Sequence, residues 1–266
     1  MNHWHVLSLV LIAFGTFGCG QSPPNERVET PPASLPLPAV PPPLQPVPQS
    51  ASEPAEIATD DGERALRAFA RLIQAAEAAD PNAWSKAEEE LQQLGAAALP
   101  AFIPALRSDE PLRREMAVMF LAQLGPQAAP AADDLAALLD DASPVVRVNA
   151  AAVLSTLERP VPQAIETLTA LVANDDVNIR LTAISSLGNA GSAAEAAIPA
   201  LERCLNDTEP RVRTAAATAV GQFGPSAQKL LPTLKLLSGD DDPAVRDAVT
   251  AAVQRIESEE ASAKRR

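Results

Sequence analysis

Two histidines, His3 and His5, are the only imidazoles in a chain of 266 residues, and both stand at its very start. Tyrosine is absent, and the two cysteines are Cys19 and Cys204. Downstream of residue 5, a Ser-His-Asp or Cys-His arrangement and a His-ligated zinc site therefore have no imidazole to use. No phosphate-cradling G-x-x-x-x-G-K and no G-x-G-x-x-G occurs. Carboxylates remain. Asp133 and Asp134 are adjacent, and neighbours on a helix do not face each other, so they make a poor acid–base dyad. Asp240, Asp241 and Asp242 stand at the start of a predicted helix, where capping is the plainer role. The spacing of an EF-hand calcium loop is missing. Cys204 shares a sequence column with Leu138, Leu171 and Leu237, which marks it as a buried apolar residue rather than a nucleophile. The expectation is no enzyme, no metal and no cofactor.

The elements that carry these residues are copies of one unit. An arginine returns every 33 residues, at Arg114, Arg147, Arg180, Arg213 and Arg246. A fixed period of roughly 20 to 50 residues is the mark of a solenoid or array. Three residues before each arginine stand Pro111, Pro144, Val177, Pro210 and Pro243. Three after come Ala117, Ala150, Ala183, Ala216 and Val249, and seven after come Leu121, Leu154, Leu187, Val220 and Val253. Proline suits a first helical position, and Ser143, Asp176 and Asp242 precede it as N-cap acceptors, with Glu110 and Glu209 in the same place. The apolar spacing gives one buried stripe, and Gly125, Gly191 and Gly224 then end the helix in a left-handed conformation. A second helix follows, with Leu135, Leu168, Leu201 and Leu234 on its apolar side, and an acidic turn closes the unit. One hairpin cannot bury both faces alone, whereas stacked neighbours share a continuous core.

This pattern resembles the HEAT repeat family in its short bacterial form, over roughly residues 82–257. The matching motif, Asp-x-x-Pro-x-Val-Arg followed by Ala-x-x-x-Leu, stands at Asp141 to Arg147, Asp207 to Arg213 and Asp240 to Arg246. The resemblance implies an all-α solenoid of about five antiparallel helix hairpins. It also implies a hydrogen-bonded ladder in which Asp141, Asp207 and Asp240 pair with Arg147, Arg180, Arg213 and Arg246 of their own or adjacent units. Ser108 and Asn174 stand in the acidic column and depart from the family pattern. The Thr-Pro-Leu-His-x-Ala signature of ankyrin repeats, which share the period, is absent.

Residues 1–19 read as an export signal, with an apolar run from Val6 to Phe17 that is too short to span a bilayer. Its first five residues hold no Lys or Arg. Thr16-Phe17-Gly18-Cys19 resembles a bacterial lipobox, with Thr16 where a leucine is usual. That resemblance implies a lipid on Cys19, and Gly20 after it implies that sorting to an outer membrane is permitted. The alternative is a plain cleaved signal. Residues 20–56 then form a linker. Within it, residues 21–56 hold 12 prolines and no aromatic residue. Such a stretch cannot order itself by burial and favours extended polyproline II, with a reach of about 110 Å at ~3.1 Å per residue. Residues 57–81 are expected to cap the array, through an amphipathic helix over 62–79. Leu66, Phe69, Leu72 and Ile73 lie on its inner side and Arg64, Arg67 and Arg71 outside. Val245 to Ile256 reads as a lone closing helix, and residues 258–266 as a polar, frayed tail.

Residues 57–266 hold 20 Lys and Arg against 30 Asp and Glu. An acidic array repels phosphate backbones, so nucleic acid is not the expected partner, and the array itself is not drawn to anionic lipid. Any membrane attachment falls to the N-terminal lipid. In HEAT-like stacks the second helices line the concave side. Here that side would present Asp133, Asp140, Glu166, Glu202, Arg203 and Lys235, a sign running from acidic to basic. Such a groove would orient a dipolar protein segment, although a merely solvated face has the same composition. The sequence thus predicts a protein-binding scaffold tethered by lipid in a bacterial cell envelope, in the outer membrane or periplasm. Two alternatives stay open: an enzyme accessory like the HEAT-like subunits of bilin lyases, and a purely structural spacer.

Overall fold

A computed structural model describes residues 56–157 and 161–263. The readings of an export signal, of Cys19 and of the proline-rich linker fall on residues outside that range, apart from Glu56. Every regular element among the described residues is helical. The α-helices are α1 (Glu56–Ala78), α2 (Pro81–Leu94), α3 (Leu99–Leu106), α4 (Pro111–Leu124), α5 (Ala132–Ala137), α6 (Pro144–Thr156), α7 (Pro162–Leu171), α8 (Val177–Ala190), α9 (Ile198–Cys204), α10 (Pro210–Gln222), α11 (Leu231–Leu236) and α12 (Pro243–Ala263). From α2 to α11 they pair into five hairpins. Helix α1 packs on α2 and α3, and α12 packs on α10 and on the whole second arm of the fifth hairpin. The first arms stack in series, α4 on α6, α6 on α8, α8 on α10 and α10 on α12.

Burial follows the repeat columns. Leu121, Leu154, Leu187 and Val220 on the first helices are fully buried, as are Leu135, Leu168, Leu201 and Leu234 on the second. Alanines at Ala117, Ala150, Ala183 and Ala216 fill the spaces between them and let backbones approach. At two seams the approach is closer than a methyl group allows. A Cβ placed on Gly188 would stand 2.9 Å from the Cβ of Ala219, and one on Gly221 would stand 2.9 Å from the Cα of Ala252. At the first hairpin the packing is aromatic instead. Phe69 of α1 meets Phe102 of α3 edge-on, and Phe102 stacks on Phe120 of α4, each with ring centroids 5.5 Å apart.

The first helices end as the glycine column predicts, but in a different conformation. Gly95, Gly125 and Gly191 have φ near +53° with ψ near −127°. That is the first corner of a II′-type turn rather than the left-handed helical well. Each glycine opens a 3₁₀ segment, four residues long at Gly95–Ala98 and seven at Gly125–Ala131, Gly191–Ala197 and Gly224–Leu230. The second arms of the second, fourth and fifth hairpins are therefore half 3₁₀, with α-helical cores of only six or seven residues.

Three local expectations are corrected. Leu66 lies outside the buried stripe of α1 and is 51% exposed, while Ala65 and Ala68 take the inner positions beside Phe69 and Leu72. Ser143 makes no capping bond; its hydroxyl donates to Glu115 Oε1 at 2.7 Å instead. Asp176 and Asp242 do cap, accepting from Asn178 N and Ala244 N, each at 2.7 Å. The last helix does not stop at Ile256 but continues to Ala263, held by an ion pair from Glu257 to Lys235 and by Glu259 lying over Gly224.

Candidate functional site

Two surfaces follow from this stacking, one formed by the turns between hairpins and one by the second helices. On the turn edge each repeat arginine reaches back into its own turn. Nη1 of Arg114 donates to Ser108 O at 2.8 Å, of Arg147 to Asp141 O at 2.6 Å, and of Arg180 to Asn174 O at 2.9 Å. Arg213 and Arg246 do the same to Asp207 O at 2.9 Å and Asp240 O at 2.6 Å. In Arg114, Arg180 and Arg213 the remaining edge of the guanidinium faces the next turn, 27 residues on. There Arg114 grips Asp141 in bidentate fashion, at 2.7 and 3.2 Å, and Arg213 grips Asp240 at 2.8 and 2.7 Å. Arg180 lies against Asp207 with Nη2 donating at 3.1 Å and Nε at 3.0 Å from the other oxygen. The pairing therefore joins adjacent units, and each acidic side chain also holds its own turn. Asp141 accepts from Ser143 N, Asp207 from Glu209 N and Asp240 from Asp242 N.

These contacts set the charge states. Burial pushes the Asp141 carboxyl up, but the Arg114 hydrogen bonds, the Ser143 N–H and the nearby charges of Arg114 and Arg147 outweigh it and hold it below the ordinary carboxylate range. The Arg213 hydrogen bond, aided by the Asp242 N–H, depresses Asp240 in the same direction. The same bonds raise Arg114 and Arg213 further above neutrality. With Asp240 on Arg213 and Asp242 on a helix start, the Asp240 to Asp242 run is committed to structure. No grouping of His, Cys, Asp and Glu among the described residues could hold a metal ion.

The second-helix face is looser. Asp133, Asp140, Glu166, Arg203 and Lys235 are exposed, and Glu202 is half-buried beneath Thr233, whose hydroxyl donates to it at 3.4 Å. Lys235 is not an open cation, because its Nζ stands 2.9 Å from Glu257 of α12. Sequence reading missed that partner, since Glu257 belongs to an extension that no repeat column predicts. It also missed Arg107, which clasps Asp134 at 2.5 and 3.0 Å between the first and second hairpins. The acidic end is thus Asp133, Asp140 and Glu166, and the basic end reduces to Arg203. An open groove of about 600 Å³ lies beside Arg203, lined also by Asn174, Asp175, Arg180 and Asp207. Cys204 sits at its edge but is buried, and its thiol bonds to Ala200 O at 3.3 Å. Burial pushes its pKa up to about 11, away from a reactive thiolate.

A family model described as HEAT repeats matches residues 132–221 and 204–264, together half of the chain. No curated protein matches the chain. Among solved structures, an engineered protein from the Northeast Structural Genomics Consortium aligns with a TM-score of 0.52 at 19% identity, covering 79% of this chain and 93% of that one. Computationally designed armadillo repeat proteins for modular peptide recognition align at 0.49 and 21% identity, over 70% of this chain and 99% of theirs. The complex of CpcE and CpcF of phycocyanin lyase from Nostoc sp. PCC7120 aligns at 0.43 and 27% identity, over 59% of this chain and 98% of that one. No helix among the described residues is long and apolar enough to cross a membrane.

Proposed function

The chain belongs to the HEAT repeat family, and we propose that it is a non-enzymatic protein-binding scaffold, held at a bacterial envelope by a lipid on Cys19. One observation carries the binding role: inter-unit ion pairs brace the turn edge, while the second helices keep Asp133, Asp140 and Glu166 exposed. A stack fixed along one edge presents the other as a preorganised surface, which lowers the cost of ordering on binding. The Asp133, Asp140 and Glu166 carboxylates give that surface an acidic end suited to a segment carrying Lys or Arg. The tether rests on the short apolar run ahead of Cys19 and on the proline-rich stretch that follows it.

Crosslinking in intact envelopes, read by mass spectrometry, tests the binding role. The expected result is a recurrent partner joined through the second-helix face, with capture reduced by Asp133→Lys together with Glu166→Lys, more so at low salt. Unchanged capture by the double variant removes the groove from the account. Palmitate labelling with cell fractionation tests the tether, and unlabelled cytoplasmic protein overturns it.

A further inference from the structure

We propose that the seam between the third and fourth hairpins is a carboxylate-binding site, formed by the guanidinium of Arg147 and the side-chain amide of Asn174. In the three complete rungs the turn side chain works in one way. Oδ1 of Asp141, Asp207 and Asp240 accepts the backbone N–H two residues on, and the carboxylate takes the Nε and Nη2 edge of the arginine 27 residues earlier. Asn174 makes the first contact, accepting Asp176 N–H through Oδ1 at 2.9 Å. That bond fixes the amide, so Nδ2 replaces the acceptor that an aspartate would offer.

Arg147 carries donors only. Its Nη1 is used by Asp141 O and Ala142 O, and no carboxylate stands within ion-pair distance of it among the described residues. By the 27-residue spacing of the paired rungs, Asn174 takes the corner that an aspartate fills for Arg114, Arg180 and Arg213, so at this seam the half-buried guanidinium of Arg147 is answered by an amide whose Oδ1 is already used. A planar acceptor with two oxygens suits that gap, because a carboxylate from outside has the shape of the aspartate that other seams supply from within. The ligand class is a free carboxylate anion or the side chain of an Asp or Glu in another chain. Asp176 is turned to the start of α8, where it accepts from Asn178 N and Ile179 N, and Asp175 is exposed.

The arginine Nε–Hε resonances of the ¹⁵N-labelled full chain provide the test, with the Arg147 signal assigned by its loss in Arg147→Lys. The probes are sodium formate and, separately, an N-acetylated, C-amidated Gly-Glu-Gly peptide, both at constant ionic strength. Formate is expected to shift Arg147 saturably and to leave Arg246 still; Arg246 is exposed and has no following turn, so it reports non-specific anion effects. Asn174→Asp, which supplies the missing acceptor internally, is expected to weaken the response about tenfold or more. A response to formate alone assigns the site to small anions, and a response to both probes admits a partner's side chain. No saturable shift at Arg147, or an equal shift at Arg246 or in Asn174→Asp, overturns the site. Neither result alters the crosslinking readout at the second-helix face.

Discussion

The seam between the second and third hairpins and the seam between the third and fourth differ by little more than an oxygen for a nitrogen. At the first, Asp141 receives both arms of Arg114 and is 6% exposed in its side chain. At the second, Asn174 occupies the same corner, makes the same Asx bond, and leaves Arg147 without a carboxylate partner among the described residues. Helix packing continues across both, α4 on α6 and α6 on α8. Hydrophobic stacking thus builds the array, and the ladder is a separate electrostatic addition along one edge. Losing a rung leaves the fold in place but leaves a charge to be satisfied.

Breaking the complete seam should cost most. Arg114→Ala strips Asp141 of two charge-assisted bonds and is expected to lower unfolding free energy by about 2 kcal/mol, measured by urea denaturation. Arg147→Ala, which removes the bonds to its own turn and one charge near Asp141, should cost about 1 kcal/mol or less. Acid gives the next effect. Asp141 and Asp240 have depressed folded pKa values, so their contribution is present above the unfolded value of about 3.9 and is lost as pH falls through the lower folded one. Thermal midpoints should fall below pH ~4, and Asp141→Asn should remove part of that fall. Converting the open seam to a closed one by Asn174→Asp should add about 0.5–1 kcal/mol at neutral pH and nothing once the new carboxyl is protonated. Smallest of all, Lys235→Ala removes an exposed pair and should stay within about 0.5 kcal/mol.

Legibility in the sequence followed repetition. Every feature written once per unit could be read: the arginine, the turn acid, the glycine that ends the first helix and the leucines of both stripes. Asn174 was visible as a departure from its column for the same reason. Features fixed by a single contact were not. Gly188 and Gly221 lie in no repeat column, and only the structure shows Ala219 and Ala252 packed against them. The 3₁₀ openings follow the turn that each glycine makes, which the spacing of apolar residues does not encode. Leu66 looked inward by spacing, yet the alanines of α1 take the contact because α2 and α3 lie close against it. On the second-helix face, charge could be listed from sequence but its pairing could not, since Lys235 is answered from a helix outside the repeat.

A double-mutant cycle on Arg114 and Asp141, run beside one on Arg147 and Asn174, tests most directly whether inter-unit ion pairs brace this stack. The expected coupling is about 1–2 kcal/mol for the first pair and near zero for the second, with additive losses at the open seam. Equal coupling at both seams, or none at either, would contradict a ladder that braces some joints and leaves one open.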